Sequence, residues 1–441
     1  MSWHPRIENA LLNFCREEIP TSIPLRLEFL ETQLNALLLK EFRRQDIFAG
    51  IDVLFIQHHL GPFIAKLHAM FNNELDRSRC WFIDIPYSTN HSVKDYIGKN
   101  ICSQDQASRP FTDPLAPYSE IQSIRVARLM EKIIGRKDPQ SRLLVLDDGA
   151  YFARYLDFIK NDQPELLQHF KKACLVEQTT RGHRYLETHK DDLIRLCDLS
   201  IVSIARCKTK LQFESPFIGA SMGRALGKAL GEDRLRNFRS IGIIGYGTVG
   251  EATVDDLLRK SPKARIEIVD IDEGKLRAAG NKNVNAQAMK QLRDDGSYEL
   301  VVGCTGYNSF KLEQRYCLAD GAFLASASSA AVEFNRAGFI ELADRDPQDE
   351  IELLNREDTQ RKGIHAPIEI RYEGGKKFTF LNAGFPVNFD GQLECLPTRM
   401  IQSTHALMIA ASWQALTQGA GFSRIEKTLD ESIYDMSIKE L

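Results

Sequence analysis

The chain has 441 residues, of which 43% are hydrophobic and 27% are charged, and its formal net charge is -3. A single hydrophobic core rarely grows beyond ~250 to 300 residues, so this length predicts two or three domains. The charge balance lacks the basic excess that binding to nucleic acid or an anionic membrane needs, and it favours a small-molecule substrate.

The nine cysteines are scattered and include no C-x-x-C pair. This pattern predicts reduced thiols, with neither a disulfide framework nor a metal site. No apolar run approaches the ~20 residues of a membrane span, and the amino-terminal segment is amphipathic and charged, unlike a signal peptide. We therefore predict a cytoplasmic protein.

Helix and strand patterns alternate along the first 210 residues. Residues 6–19 and 24–43 carry apolar side chains at helical spacing and predict an amino-terminal helical pair. Apolar runs that end in polar clusters then predict the strands of a parallel sheet. These runs are 51–56, 80–85, 142–147, 172–176 and 200–204. Open α/β sheets bind ligands at the carboxyl ends of their strands, so the polar clusters are candidate site residues.

The first apolar run of the second half stops at three glycines with the spacing G-x-G-x-x-G. Gly245 permits a tight turn, Gly247 lets the backbone approach a pyrophosphate, and Gly250 lets the following helix pack on the strand. We predict a dinucleotide site at these glycines and at Thr248 and Val249, where the helix begins. A glycine turn that binds no cofactor is the alternative.

Asp270 ends the next strand candidate, twenty residues after Gly250. A carboxylate at this position accepts hydrogen bonds from the ribose diol of NAD and would repel the 2'-phosphate of NADP, so we predict NAD as the cofactor. We also assign Thr305 and Gly306, which end the following strand candidate, to the cofactor site.

The strand candidates group into two sheets, and the second sheet begins at Ser240. We predict an α/β protein with two doubly wound parallel-sheet domains. Residues 1–215 plus 390–441 would form a substrate-binding domain and residues 221–388 a Rossmann NAD-binding domain, with the active site in the cleft between them. The last long helix, predicted over 398–417, would pack on the first domain.

Six separated motifs resemble, in the same order, motifs of the S-adenosylhomocysteine hydrolase (adenosylhomocysteinase) family. The matching segments are 86–90, 146–149, 177–182, 209–214, 245–250 and 386–388. For example, Gly245–Gly250 reads G-Y-G-T-V-G where the family has G-Y-G-D-V-G. The resemblance covers nearly the whole chain, and it implies a homo-oligomer, either a dimer or a tetramer.

In that family, bound NAD oxidises the ribose 3'-hydroxyl of a nucleoside substrate, the thiol leaves, water adds and the hydride returns. By resemblance, Asp148 and Lys210 correspond to the catalytic aspartate and lysine. Thr179, Thr180 and Asn388 correspond to residues that contact NAD.

Two further catalytic assignments rest on looser matches. Glu214 stands where the family has the aspartate of K-F-D, and either His58 or His59 matches the histidine of the first domain. We assign Glu214 and His58 to the catalytic set and leave open which histidine faces the cleft.

The departures from the family pattern concern proton transfer. Gln178 replaces a catalytic glutamate and can hydrogen-bond but cannot take a proton. Two histidines of the family are absent from segments 326–330 and 395–397. We therefore expect cleavage of adenosylhomocysteine to be very weak or absent, because losing a positioned acid or base typically costs ~10²- to 10⁴-fold.

Simpler roles remain open for the predicted catalytic residues. Asp148 could cap a helix or fill a buried polar position at a strand end, Lys210 could be a solvated loop lysine, and the His58-His59 pair could serve packing alone.

The sequence thus predicts an adenosylhomocysteinase-like NAD-binding enzyme that removes a hydride from a nucleoside-like or other hydroxylated small molecule, with Lys210 as the base. The alternative is a catalytically inactive NAD-binding protein with a regulatory or partner-binding role, since proton-handling residues are lost.

Overall fold

The computed structural model describes residues 3–14, 17–27, 29, 46–111, 113–136, 141–280, 286–345 and 351–441. The chain divides into two compact units. The first unit comprises residues 17–111, 119–214 and 391–441, and the second comprises residues 1–16, 112–118 and 215–390. The first helix of the predicted amino-terminal pair is observed over Pro5–Phe14. Most of the second, residues 28 and 30–43, lies outside the described residues.

The strands, numbered in chain order, are β1 Asp52–Gln57, β2 Cys80–Asp84, β3 Leu143–Asp147, β4 Cys174–Glu177, β5 Ser200–Ser203, β6 Ser240–Ile244, β7 Arg265–Val269, β8 Ala286–Met289, β9 Tyr298–Gly303, β10 Leu318–Ser326, β11 Glu352–Leu354, β12 Ile368–Tyr372, β13 Lys376–Phe380 and β14 Gly421–Arg424. The α-helices are α1 Pro5–Phe14, α2 Gly61–Phe71, α3 His91–Asn100, α4 Tyr118–Arg136, α5 Tyr151–Asp162, α6 Thr180–Cys197, α7 Ser215–Leu230, α8 Glu232–Asn237, α9 Thr248–Lys260, α10 Glu273–Gly280, α11 Arg336–Arg345, α12 Arg356–Lys362, α13 Thr398–Thr417 and α14 Lys427–Glu440.

The sheet of the first unit is parallel throughout, in the order β14-β5-β4-β3-β1-β2. Strands β1 to β5 are buried along their whole length, as expected for parallel strands that are covered on both faces. The five predicted strands are therefore confirmed, with bounds that differ by one or two residues. The edge strand β14 was not predicted, because its four residues lack an apolar run.

The connection between β2 and β3 reverses the direction in which this sheet grows. β1 pairs with β2 on one side and with β3 on the other. The chain therefore crosses back over β1 and continues through β4 and β5 on the far side. This reversal is a topological switch point, and ligands of open α/β sheets bind beside it, at the carboxyl ends of the two strands.

Helix α13 packs against β3, β4 and β5 and against α2. Its buried face includes the small residues Ala406, Ala410 and Ala411, which let the helix axis approach the sheet closely. The helix predicted over 398–417 is confirmed at both ends.

The sheet of the second unit has the order β11-β12-β13-β10-β9-β6-β7-β8. From β8 to β13 its strands are parallel and follow the 3-2-1-4-5-6 order of a Rossmann fold, with a switch point between β6 and β9. The predicted α/β class is confirmed. Strands β11 and β12 extend the sheet in antiparallel fashion and were not predicted.

Within the described ranges, no helix combines the length and the apolar character needed to cross a membrane. In the same part of the chain, no group of three or more His, Cys, Asp or Glu side chains is arranged to hold a metal ion.

Candidate functional site

The glycine turn after β6 has the geometry of a dinucleotide-binding turn. Gly245 has a φ of +98°, and a Cβ at Gly250 would lie 2.1 Å from the Gly245 carbonyl oxygen. Helix α9 can begin this close to the strand only because position 250 has no side chain. Apart from Gly247 itself and its chain neighbours, no described atom lies within 4 Å of the Cβ position of Gly247, so this side of the turn is open to a ligand.

The amino terminus of α9 offers backbone amides to that open side. Thr248 and Val249 begin this 13-residue helix, and both are partly exposed. The first amides of a helix have no acceptor within the helix and attract an anion. The Thr248 hydroxyl accepts a hydrogen bond from Ser215 Oγ at 3.1 Å. These residues fit the diphosphate of a dinucleotide.

Asp270 lies beside the glycine turn. Its Oδ2 accepts a hydrogen bond from the Tyr246 amide at 2.6 Å, and its Oδ1 accepts one from the Asp272 amide at 2.9 Å. The Lys275 ammonium is 3.6 Å from Oδ2. The backbone contacts fix the carboxylate where β7 ends, and Lys275 partly offsets its charge.

Glu333 organises the loop that follows β9. This fully buried carboxylate accepts hydrogen bonds from the amides of Thr305 and Gly306, at 2.6 and 2.5 Å. It also accepts bonds from the hydroxyls of Ser309 and Ser328. Thr305 and Gly306, predicted to bind the cofactor, follow β9 at the switch point between β6 and β9. Their amides are bonded to Glu333.

Asn388 also lies in the second unit. Its side chain is buried, and the preceding Val387 donates its amide to the Ser326 carbonyl at 3.0 Å. This bond places Asn388 close to the carboxyl end of β10.

In the first unit, two predicted site residues, His58 and Asp148, meet Gln178 at the switch point between β1 and β3. His58 Nε2 lies 3.0 Å from Asp148 Oδ2, and the Gln178 amide donates to the same oxygen. His58 Nδ1 is 2.6 Å from Ser88 Oγ. The structure therefore joins residues that follow β1, β3 and β4 into one hydrogen-bonded cluster, which we call the Asp148 cluster (His58, Asp148 and Gln178).

His59 does not join this cluster. Its ring stacks on Phe63, with 5.1 Å between centroids, and is almost fully buried. Burial lowers the pKa of His59 to about 3, so the ring is neutral. Of the two adjacent histidines, His58 is the one at the switch point.

The Asp148 carboxyl is nearly fully buried. Burial by itself raises a carboxyl pKa, but interactions with His58, the Gln178 amide and Lys210 outweigh it and hold the pKa of Asp148 below its usual value. Asp148 is therefore ionised at neutral pH.

Two buried carboxyls, which the sequence analysis did not identify, accept backbone amides beside this cluster. Asp147 accepts the amides of Tyr151 and Phe152 at the start of α5, and Glu177 accepts the Ala150 amide at 2.8 Å. Burial raises the pKa of Asp147 to about 7 and that of Glu177 well above its usual value. Both precede a cluster residue directly, so they fix the two loops that present Asp148 and Gln178.

Thr179 and Thr180, predicted to contact NAD, lie at the start of α6. Thr179 is the N-cap, accepting the Gly182 amide at 2.9 Å and donating its hydroxyl to Glu177 at 2.7 Å. Thr180 is the first helical residue. The Thr179 hydroxyl therefore has a structural role in this unit.

Lys210 and Glu214 form an ion pair on a π-helical turn, Thr209–Glu214. Their side chains are 14% and 6% exposed. Asp430 of α14 anchors the turn by accepting the Thr209 hydroxyl at 2.7 Å and the Thr209 amide at 3.0 Å. Lys210 is therefore held in place and is not a solvated loop lysine.

Lys66 and His405 were also missed. Lys66, on α2, is fully buried and donates to Gln57 Oε1 at 2.8 Å. Burial lowers the pKa of Lys66 to about 7, although the charge of Asp148 acts in the opposite direction. In the sequence, Lys66 and His405 resemble the ordinary polar positions of amphipathic helices.

Comparison with known proteins gives distant relatives. No protein-family model matches the chain. Two proteins of Mycobacterium tuberculosis, from strains CDC 1551 / Oshkosh and H37Rv and each named only as uncharacterized, are 26% identical over 371 residues, or 82% of this chain and 63% of theirs. The chain therefore matches less than two thirds of the length of these relatives.

Among solved structures, the TT0316 protein of Thermus thermophilus aligns over 84% of this chain and 99% of its own, with 11% identity and a TM-score of 0.40. One subunit of a dipicolinate synthase from Bacillus halodurans aligns over 66% of this chain and 87% of its own, with 11% identity and a TM-score of 0.39. The pyruvate reductase of Chlamydomonas reinhardtii aligns over 68% and 75%, with 12% identity and a TM-score of 0.31.

Proposed function

We propose that the protein is an adenosylhomocysteinase-like, NAD-binding enzyme that removes a hydride from a hydroxyl-bearing carbon of a nucleoside-like or other hydroxylated small molecule. The observation that carries this proposal is the Asp148 cluster, in which an ionised carboxylate, an imidazole and an amide converge at a switch point. The glycine turn of the second unit supports the cofactor assignment.

The second unit would hold NAD through Gly247, the first amides of α9 and Asp270. When bound, NAD supplies the hydride acceptor. The Asp270 carboxylate suits a ribose diol and disfavours a 2'-phosphate, while Lys275 at 3.6 Å reduces that discrimination without reversing it. We therefore propose NAD over NADP.

The first unit would bind the substrate and remove its hydroxyl proton. Hydride loss from the carbon leaves a ketone only if the hydroxyl proton passes to a base. We propose Lys210 as that base: its ammonium first passes a proton to its ion-pair partner Glu214, and the neutral amine then takes the hydroxyl proton. The His58–Asp148 pair would orient the hydroxyl.

Gln178 supports an activity that differs from the hydrolysis of adenosylhomocysteine. Its amide donates to Asp148, so it fixes the carboxylate and cannot take a proton itself. Segments 326–330 and 395–397 contain no histidine. We therefore propose a redox half-reaction without efficient elimination and hydration.

The test is whether the full-length protein with bound NAD develops the near-ultraviolet absorbance of reduced nicotinamide when it is offered adenosine, adenosylhomocysteine or simple polyols. We expect Lys210→Met to abolish the signal while NAD affinity is kept. Lys208→Met is the matched control, since Lys208 lies two residues away, with its ammonium over the Tyr434 ring. Equal NAD reduction by Lys210→Met and the unmodified protein would refute the role of Lys210.

The alternative is a non-catalytic NAD-binding protein, and the neutral Gln178 is the observation that favours it. In that case NAD binds, none of the hydroxylated probes yields reduced nicotinamide, and Lys210→Met changes neither property.

A further inference from the structure

His405 of α13 presents a buried imidazole nitrogen that accepts no hydrogen bond. The residue is 9% exposed. Its ring hydrogen-bonds to the Pro62 carbonyl in the first turn of α2, and Nδ1 has no partner in the part of the chain that the structure describes. The nitrogen facing Pro62 is therefore Nε2, which carries the ring proton, and Nδ1 presents a lone pair.

The protonation state of this ring is fixed by its surroundings. Burial, followed by the charges of Lys66 and Lys210, lowers the pKa of His405 well below its usual value. The ring is thus neutral in the physiological range, and Nδ1 remains an acceptor.

A second unpartnered acceptor belongs to the same region of the first unit. Asp148 Oδ1 is buried and has no hydrogen-bond partner among the described residues. The other oxygen, Oδ2, contacts His58 Nε2 and accepts the hydrogen bond from the Gln178 amide. Lys66 and Lys210 interact electrostatically with both Asp148 and His405. Helix α13 also packs against the π-helical turn that carries Lys210. Lys66 Nζ also lies 3.7 Å from Met408 Sδ, three residues after His405 on α13, so both acceptors lie near the same amines.

We propose that His405 Nδ1 and Asp148 Oδ1 bind hydroxyl donors of a neutral, polyhydroxylated ligand, and that His405 is a specificity-determining residue of the substrate site. This inference rests on the proposed function and narrows its substrate class to ligands that carry at least two hydroxyl donors, as a ribose does.

The charges of the region favour a neutral ligand. An anionic group would meet the carboxylates of Asp148 and Glu214, and a cationic group would meet the ammonium of Lys210. Hydroxyls satisfy both acceptors without adding charge. A buried acceptor left unpaired is costly, so a ligand that lacks one of these hydroxyls is expected to bind about tenfold to a hundredfold more weakly.

Two substitutions at His405 separate ligand binding from a structural role. In His405→Asn, the side-chain oxygen lies near the position of Nδ1 and keeps the acceptor. In His405→Gln, the side-chain amide nitrogen reaches the position of Nε2 and keeps the bond to Pro62, but the acceptor is lost. His68→Gln on α2 is the control, because His68 is partly buried and 3.4 Å from the Tyr96 hydroxyl.

The probe is adenosine, titrated calorimetrically into the full-length protein. We expect His405→Gln to weaken adenosine binding at least tenfold and more than His405→Asn does, and His68→Gln to bind as the unmodified protein does. A purely structural role predicts the reverse order, with His405→Gln tolerated and His405→Asn impaired, and that result overturns the proposal. Failure of adenosine to bind the unmodified protein also overturns it.

If the variants do not fold, as circular dichroism would reveal, the unmodified protein still provides a test. 2'-Deoxyadenosine or 3'-deoxyadenosine should then bind at least tenfold more weakly than adenosine, and equal affinities for all three overturn the proposal. Adenosine could bind with the predicted order of affinities among the variants while no reduced nicotinamide forms. That result would refute the proposed redox function and support the His405 assignment. Nicotinamide reduction that is unaffected in His405→Gln overturns the His405 assignment alone.

Discussion

Lys66 allows the electrostatics of the first unit to be tested without any knowledge of the substrate. Its ammonium would be buried with the Gln57 carbonyl oxygen as its strong acceptor, the Met408 sulfur at 3.7 Å and the Phe63 ring centroid at 5.0 Å. An ammonium has three donors and is expensive to bury. Lys66→Met removes the titrating group and keeps an unbranched side chain of similar length.

The sign of the pH dependence follows from the lowered pKa of Lys66, from 10.5 to about 7. Between these values the unfolded chain binds a proton that the folded chain does not, so the stability of the unmodified protein rises with pH through this window. A difference of one pKa unit corresponds to ~1.4 kcal/mol. From pH 7 to pH 9.5, the stability of Lys66→Met relative to the unmodified protein should therefore fall by roughly 3 kcal/mol.

Urea unfolding at several pH values, followed by circular dichroism, measures this change. The lost packing and the lost Gln57 hydrogen bond are nearly independent of pH, so they cancel when the two pH values are compared. Lys99→Met, on the exposed side of α3, is the control and should show no such trend. A Lys66→Met effect that stays constant from pH 7 to pH 9.5 would refute the inference that this amine is desolvated.

Two predictions concern the second unit. Gly250→Ala should abolish NAD binding in a calorimetric titration, because its Cβ would lie 2.1 Å from the Gly245 carbonyl oxygen. The control, Gly280→Ala, should bind NAD normally, since no described atom beyond its chain neighbours lies within 4 Å of its Cβ position. Normal binding by Gly250→Ala would contradict the proposed turn geometry. Asp270→Ala should weaken NAD binding by about tenfold, as expected for the loss of one or two hydrogen bonds to a ribose diol, and should raise the ratio of NADP to NAD affinity; an unchanged ratio would mean that Asp270 does not select the cofactor.

The strands and the glycine turn could be predicted because their signals are local. β1 to β5 are buried on both faces and therefore appear as continuous apolar runs. The three glycines are required by the backbone geometry of one six-residue turn, so that short segment is enough to predict them. By contrast, β14 is only four residues long and has no apolar pattern. β12 does show the alternation of apolar and polar residues typical of a half-buried strand, and the prediction overlooked it.

The missed site residues depend on contacts that are distant in the sequence. Glu333 matters because it accepts amides from residues 27 and 28 positions earlier. Lys66 and His405 come together because α13 packs against α2, and nothing near either residue in the sequence indicates that packing. His58 could be distinguished from His59 only once the strand end was placed, since one ring reaches Asp148 and the other stacks on Phe63.

The charge balance of the first unit explains how Gln178 and Lys66 can depend on one another. Asp148 is ionised and favours the charged form of Lys66, whereas burial favours the neutral amine. A carboxylate at position 178, as in the adenosylhomocysteinase pattern, would add a negative charge beside Asp148 and shift this balance toward a buried ammonium. The neutral amide instead donates to Asp148, which stabilises the single carboxylate without a second charge. Because its side chain is neutral, Gln178 permits a neutral lysine near the cluster.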